Sequence, residues 1–163
     1  GSDNQGITAS VPVAIYAQAM GIGRERLLRA VALADLVTVH QKAGIGCLSA
    51  FCGATCAGCG AGAGIAYLLG GDYKAVAHTI VNALAVVSGM VCDGAKPSCA
   101  AKISSAIDAG ILGYELYCRG QEFLDGDGII RKGVDNTIGN VGRMARSGMR
   151  ETDRVILDIM CGC

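Results

Sequence analysis

Charge is scarce in this 163-residue chain. Asp, Glu, Lys and Arg make up 17% of it, against about 25% in an average globular protein. The 14 basic and 14 acidic side chains cancel. That balance excludes a nucleic-acid binder held by phosphate neutralisation and an acidic disordered tail. Aromatic residues amount to 4%, Trp is absent and Pro occurs twice. With few large rings to fill a core, 25 glycines and a 52% hydrophobic content require backbones packed closely through small side chains. The opening Gly1-Ser2-Asp3-Asn4-Gln5-Gly6 has no basic region followed by an apolar run, so no secretory signal is read there. A reducing, cytoplasmic setting is the expectation.

Nine cysteines stand out against that background. Cys47, Cys52, Cys56 and Cys59 crowd one segment, Cys92 and Cys99 share another, and Cys161 and Cys163 end the chain. An odd count leaves at least one thiol unpaired in any all-disulfide scheme. In a reducing compartment such a set points to metal or redox chemistry. Lys42 to Asp72 carries no charge between its ends, long enough to span a bilayer at about 20 residues. Its Gly, Ala, Cys, Ser and Thr content favours a buried helix of a soluble domain over a membrane span.

Helices are easily placed and strands are not. The pattern predicts Ala9 to Met20 with Pro12 in its first turn, where a missing N–H costs nothing. It predicts Arg24 to His40 with Leu27, Leu28, Val31, Ala34 and Val37 recurring at helical spacing. A Gly-rich central helix follows from Cys47 to Leu69, then one capped by Asp72 and running to about Met90. Ser98 or Cys99 to Cys118, Val134 to Met149 and Glu151 to Met160 complete the set. The expected fold is all-α, a compact helical bundle forming one domain over residues 1–163. A polar start leading straight into a buried helix reads as a piece of a longer chain.

Gly58-Cys59-Gly60-Ala61-Gly62-Ala63-Gly64 lacks the two-then-three glycine spacing of a dinucleotide loop and has no preceding strand. Close packing of a central helix explains it better. Cys52, Cys56 and Cys59 share a helical face at three- and four-residue spacing. Buried thiols serving as small hydrophobes are the plain alternative, expected for several of the nine and for Cys118 especially. That alternative explains Cys92-Asp93-Gly94-Ala95-Lys96-Pro97-Ser98-Cys99 poorly. Two cysteines there flank a Gly/Pro turn between apolar helices, with Lys96 placed to favour thiolates. A third thiol from the central helix would complete a three-thiolate site. Structural zinc wants four ligands in short pairs, so an iron–sulfur cluster is preferred. The opening segment Ser2 to Pro12 reads equally as a capped helix start and as an anion cradle, with Asn4 and Gln5 as added donors.

Taken together, several segments resemble the L-cysteine desulfidase family, relatives of the iron–sulfur L-serine dehydratase alpha chain. They are Gly1 to Val13, Leu48-Ser49-Ala50-Phe51-Cys52-Gly53, Tyr67-Leu68-Leu69-Gly70-Gly71, Gly89-Met90-Val91-Cys92-Asp93-Gly94-Ala95-Lys96-Pro97, Thr137-Ile138-Gly139-Asn140, Gly148-Met149 and Thr152-Asp153. The resemblance implies the C-terminal part of a chain more than twice as long. It implies a 4Fe–4S cluster on Cys52, Cys92 and Cys99, and a substrate site including Ser2, Asn4, Gln5, Gly6 and Lys96. The implied activity is β-elimination on a small L-amino acid, with the base outside this segment. The interval from Cys92 to Cys99 is shorter than in the serine enzymes, which favours L-cysteine, converted to pyruvate, ammonia and sulfide. The alternatives are L-serine deamination and a non-enzymatic zinc-stabilised binding module.

Expected partners are the small-molecule amino acid, the missing N-terminal portion or a partner subunit, and a second copy in a homo-oligomer. Neither nucleic acid nor membrane is expected. Cys161-Gly162-Cys163 reads as a frayed tail, in preference to a terminal thiolate that occupies an open iron until substrate displaces it.

Overall fold

The computed structural model describes residues 3–162. The helices are α1 (Asp3–Ala19), α2 (Arg24–Ile45), α3 (Gly53–Leu68), α4 (Tyr73–Val87), α5 (Ser98–Cys118), α6 (Val134–Arg143) and α7 (Arg150–Cys161). A π-helical stretch, Met144–Gly148, joins α6 to α7. The described residues contain no strand, only a single antiparallel bridge between Phe51 and Val91. No helix among them is long and apolar enough to cross a membrane.

The central helix is α3, touched by α1, α2, α4 and α5. Every residue from Thr55 to Ala66 is buried. Its glycines divide by face, because residues four apart lie one above the other on a helix. A Cβ on Gly58 would sit 2.4 Å from the Ala106 backbone, and one on Gly62 would sit 2.7 Å from Gly110, so this face meets α5. The opposite pair, Gly60 and Gly64, would collide with the Ala34 and Ala30 carbonyls of α2 at 2.4 and 2.9 Å.

Backbone-to-backbone packing also explains α2. Its buried face is Ala30, Ala34, Thr38, Gln41 and Ile45, whereas Leu28 and Leu36 are exposed. A leucine at the seam would hold the helices apart. The face continues past His40 through Gln41 and Ile45, so α2 runs a turn beyond its expected end.

Three further expected boundaries are corrected. First, Asp3–Ala19 is helix, so the opening segment is the first turns of α1 and Pro12 lies in its interior. An interior proline removes a hydrogen bond and costs about 3 kcal/mol. The buried stripe Ala9, Val13 and Ala17, packed on α3, sustains the helix across it. Second, Cys47 to Cys52 does not join α3. Phe51 pairs with Val91, and Ser49 Oγ ties the run to the Ala145 carbonyl at 3.1 Å. Third, the helix from Val134 widens to π geometry at Met144, where the Met149 N–H reaches the Met144 carbonyl at 3.0 Å. Such bulges accommodate one extra residue in a turn. Asp72 caps α4 as expected, accepting from the Ala75 N–H at 2.9 Å. Cys118 is exposed, at the solvent-facing end of α5, and is not a core residue.

Candidate functional site

Three helices aim their N-termini at one cavity of about 130 Å³. Asn4, Gln5 and Thr8 reach it from α1, Gly53 and Ala54 from α3, and Cys99 and Lys102 from α5. Each helix start carries partial positive charge and unpaired N–H groups, so the cavity favours anions before any side chain is counted.

The thiols arrive from three segments. Cys52 is the N-cap of α3, Cys92 follows the bridge residue Val91, and Cys99 lies in the first turn of α5. The bridge sets the first two side by side. The Cys52 N–H donates to the Met90 carbonyl at 3.0 Å, and the Cys92 N–H to the Ala50 carbonyl at 2.6 Å. Cys52 and Cys92 therefore stand on one face of the pair as diagonal neighbours, a relation of about 7–8 Å. The turn to Cys99 passes through Gly94 at φ +88°, a left-handed conformation that glycine adopts without penalty. The Cys99 thiol donates back to the Gly94 carbonyl at 3.6 Å.

All three thiols are unpaired. Burial pushes the Cys52 thiol up, and the neighbouring Cys92 and Cys99 push it further, against the Ala54 N–H and Lys102. Like-charge crowding of this kind is what a bound cation relieves. Among the described residues, no three His, Cys, Asp or Glu side chains stand close enough to ligate a single metal ion. A tetrahedral zinc site, with sulfurs about 2.3 Å from the metal, does not match that spacing. An iron–sulfur cluster takes thiolates set farther apart, on different irons, and the soft three-sulfur donor set suits it.

Asp93 organises the loop between the thiols. It pairs with Lys96 and with Lys102, whose hydrogen bonds hold its carboxyl down at about 2. Lys102 Nζ also donates to the Val91 carbonyl at 2.9 Å, stitching the bridged segment to α5. The lysine facing the cavity is Lys102, which the sequence reading passed over. Its spacing of three residues from Cys99, one helical turn, was the available signal. Lys96 is exposed, is engaged by Asp93 and does not line the cavity.

Asn4 and Gln5 do line it. Gly53 makes room for Gln5, since a Cβ there would overlap the Gln5 side-chain amide. Gly6 lies on the exposed side of α1, away from the cavity, and Ser2 falls outside the described residues.

Cys56 and Cys59 are fully buried beside Phe51, Ile80 and Leu84. Burial raises the Cys56 thiol to about 12 and Cys59 well above its ordinary value. These two act as small hydrophobes. Cys161 is the last residue of α7, which Gly162 closes in the left-handed conformation at φ 72°. The expected fray therefore does not begin before Gly162, and Cys163 lies outside the described residues.

A family model described as "Serine dehydratase alpha chain" matches residues 1–158. Among curated proteins, a UPF0597 protein of Desulfitobacterium hafniense is 62% identical over 98% of the chain and 37% of its own length. One from Treponema denticola is 49% identical over the same shares. A third, from Bacteroides fragilis, is 43% identical over 100% of the chain and 39% of its own length. The chain thus spans little more than a third of the relatives it matches. No solved structure matches it.

Proposed function

The chain belongs to the serine dehydratase alpha chain family, and on that premise we propose that it forms the cluster-bearing part of an iron–sulfur lyase acting on a small L-amino acid. The observation that carries this reading is the meeting of Cys52, Cys92 and Cys99 with Asn4 and Gln5 around one cavity. Cys52, Cys92 and Cys99 would hold a 4Fe–4S cluster. When bound, a cluster with three protein thiolates supplies an electrophilic iron that polarises the substrate's leaving group.

The chain's own residues supply placement. The N-termini of α1 and α3 favour the substrate carboxylate, and the amides of Asn4 and Gln5 orient it. Asp93, held between two lysines, keeps the Cys92–Cys99 loop on α5. The half-buried setting limits water around the thiols, which strengthens electrostatic interactions there. Removal of the α-proton belongs to a base in the remainder of the longer protein. Loss of that proton with departure of the β-substituent leaves an enamine, which hydrolyses to pyruvate and ammonia. L-Cysteine is the substrate proposed first, with sulfide as the leaving product. L-Serine, losing hydroxide, is second and is favoured by the description of the matched family.

Iron and acid-labile sulfide per chain, measured after anaerobic purification, test the centre. Cys52→Ala, Cys92→Ala and Cys99→Ala are each expected to lose most of both. Cys56→Ala and Cys59→Ala should retain them. Retention in the first three variants overturns the proposal. Sulfide release from L-cysteine, set against pyruvate from L-serine in the full-length protein, decides the substrate.

A further inference from the structure

A second cavity, of about 490 Å³, opens at the N-terminal end of α4. The candidate metal centre adjoins the other end, where Thr55 Oγ1 donates to the Val87 carbonyl at 3.4 Å. Fifteen residues of helix put the two sites about 20 Å apart. We infer that this cavity binds a small organic anion with an apolar body, namely an aryl or branched-alkyl carboxylate or phosphate monoester.

The floor and the rim differ in chemistry. Buried Val81 and Ile130 give the floor its apolar character, the exposed Phe123 ring adds an edge, and Lys74, Arg131 and Lys132 stand around it. None of these three cations has a carboxylate within ion-pair distance among the described residues. Lys74 lies over the Tyr117 ring at 6.0 Å. One acid, Asp125, lines the same cavity, and Glu122 lies beside it. Asp125 accepts from the backbone N–H of Lys132 at 3.0 Å. Glu122 lies 3.3 Å from His78 Nδ1 without completing a hydrogen bond. The lining therefore sets three cations against one carboxylate, Asp125, and the mouth keeps a net positive charge in a chain whose total is zero.

Backbone geometry adds to that field. Helix α6 begins at the rim and has no side-chain cap, so its first N–H groups are open to an acceptor. The volume falls within the ordinary range for small-molecule sites, about 300–1,000 Å³. An inorganic ion would leave the apolar floor unused, and a neutral hydrophobe would leave the cations unmatched. A ligand with both parts satisfies the whole cavity.

Titration of the full chain with the fluorescent anion anilinonaphthalene sulfonate, and with its neutral analogue phenylnaphthylamine, separates the two contributions. The sulfonate is expected to bind at one site per chain. The double variant Arg131→Gln/Lys132→Gln should weaken it about ten-fold, the scale of one charge-assisted hydrogen bond. Binding of the neutral dye should stay unchanged. Competition by phenylpropionate or by phenyl phosphate then identifies the head group. Sulfonate binding that ignores the double variant overturns the inference, as does equal weakening of both dyes or displacement by neither competitor.

Discussion

Cys52 and Cys56 are one helical turn apart and meet opposite fates. Cys52 caps α3 at the edge of a cavity, within the electrostatic reach of Cys92, Cys99 and Lys102. Cys56, one turn further in, is sealed among aliphatic side chains with its thiol held protonated by burial. The difference comes from the backbone before the helix. Because Phe51 pairs with Val91, the chain is extended up to Cys52, and the helix can start only afterwards. The comparison teaches that a thiol's chemistry here is set by the position of a helix start, since both residues lie within one cysteine-rich run.

The packed side of that comparison is expected to be the less forgiving. A Cβ at Gly60 would stand 2.2 Å from Thr38 Oγ1 and 2.4 Å from the Ala34 carbonyl, and the carbonyl cannot rotate away. Gly60→Ala should therefore force α2 off α3 and destabilise the chain by about 3 kcal/mol, the upper part of the usual overpacking range. Gly89, near the thiol loop, has nothing within 4 Å of a Cβ. Gly89→Ala should change stability by less than about 0.5 kcal/mol. Urea midpoints with unchanged slopes provide the measurement. Equal costs at the two glycines would dissolve the contrast between a rigid seam and an open edge.

The buried thiols should also show themselves at alkaline pH. The Cys56 value is raised from 9.0 to about 12, so the folded state holds its proton where the unfolded chain releases it. Its stabilising contribution is complete below pH 9 and disappears as pH rises through 12. Denaturant midpoints of the cluster-free, reduced chain should fall over that window, and Cys56→Ala should fall less steeply. An identical slope in the variant would show that the thiol is not sealed as its surroundings indicate.

Much of this molecule was legible in the amino-acid order. The all-α fold and the Ser98–Cys118 helix follow from periodicity and from Pro97. The close-packing role of the α3 glycines follows from their spacing. The extended Cys47–Cys52 run was not legible, because its pairing partner lies some 40 residues away and local propensity carries no record of it. Pro12 misled for a related reason, since tertiary burial of Ala9 and Val13 outweighs a local penalty. At the site, Cys52, Cys92, Cys99, Asn4 and Gln5 can be picked out from the sequence, and they line one cavity. Gly6 and Lys96, implied by the resemblance, lie outside the cavity lining, because the turn of a helix carries Gly6 outward and Asp93 engages Lys96. Lys102 is hard to find in the sequence because a lysine in a helix ordinarily faces solvent, and only the bridged segment beside α5 gives it two partners.

Lys102 provides the finest test of how the open side is held. Its ammonium joins Asp93 and the Val91 carbonyl, so it binds the segment carrying Cys92 to the helix carrying Cys99. The pair is solvated, and such pairs contribute little to global stability. Lys102→Met should accordingly leave the melting of the cluster-free chain nearly unchanged. Registration between the two thiols is more exacting than folding. Release of iron to a chelator from the loaded protein should therefore quicken about three-fold, a ratio consistent with losing one such pair. Lys102→Arg, which keeps the charge and the donors, should bring the rate back toward that of the unaltered chain. Faster release from the arginine variant, equal to that of the methionine one, would mean that the loop is held by packing alone. The contrast with Cys56 would then lie in solvent access rather than in a charged clasp.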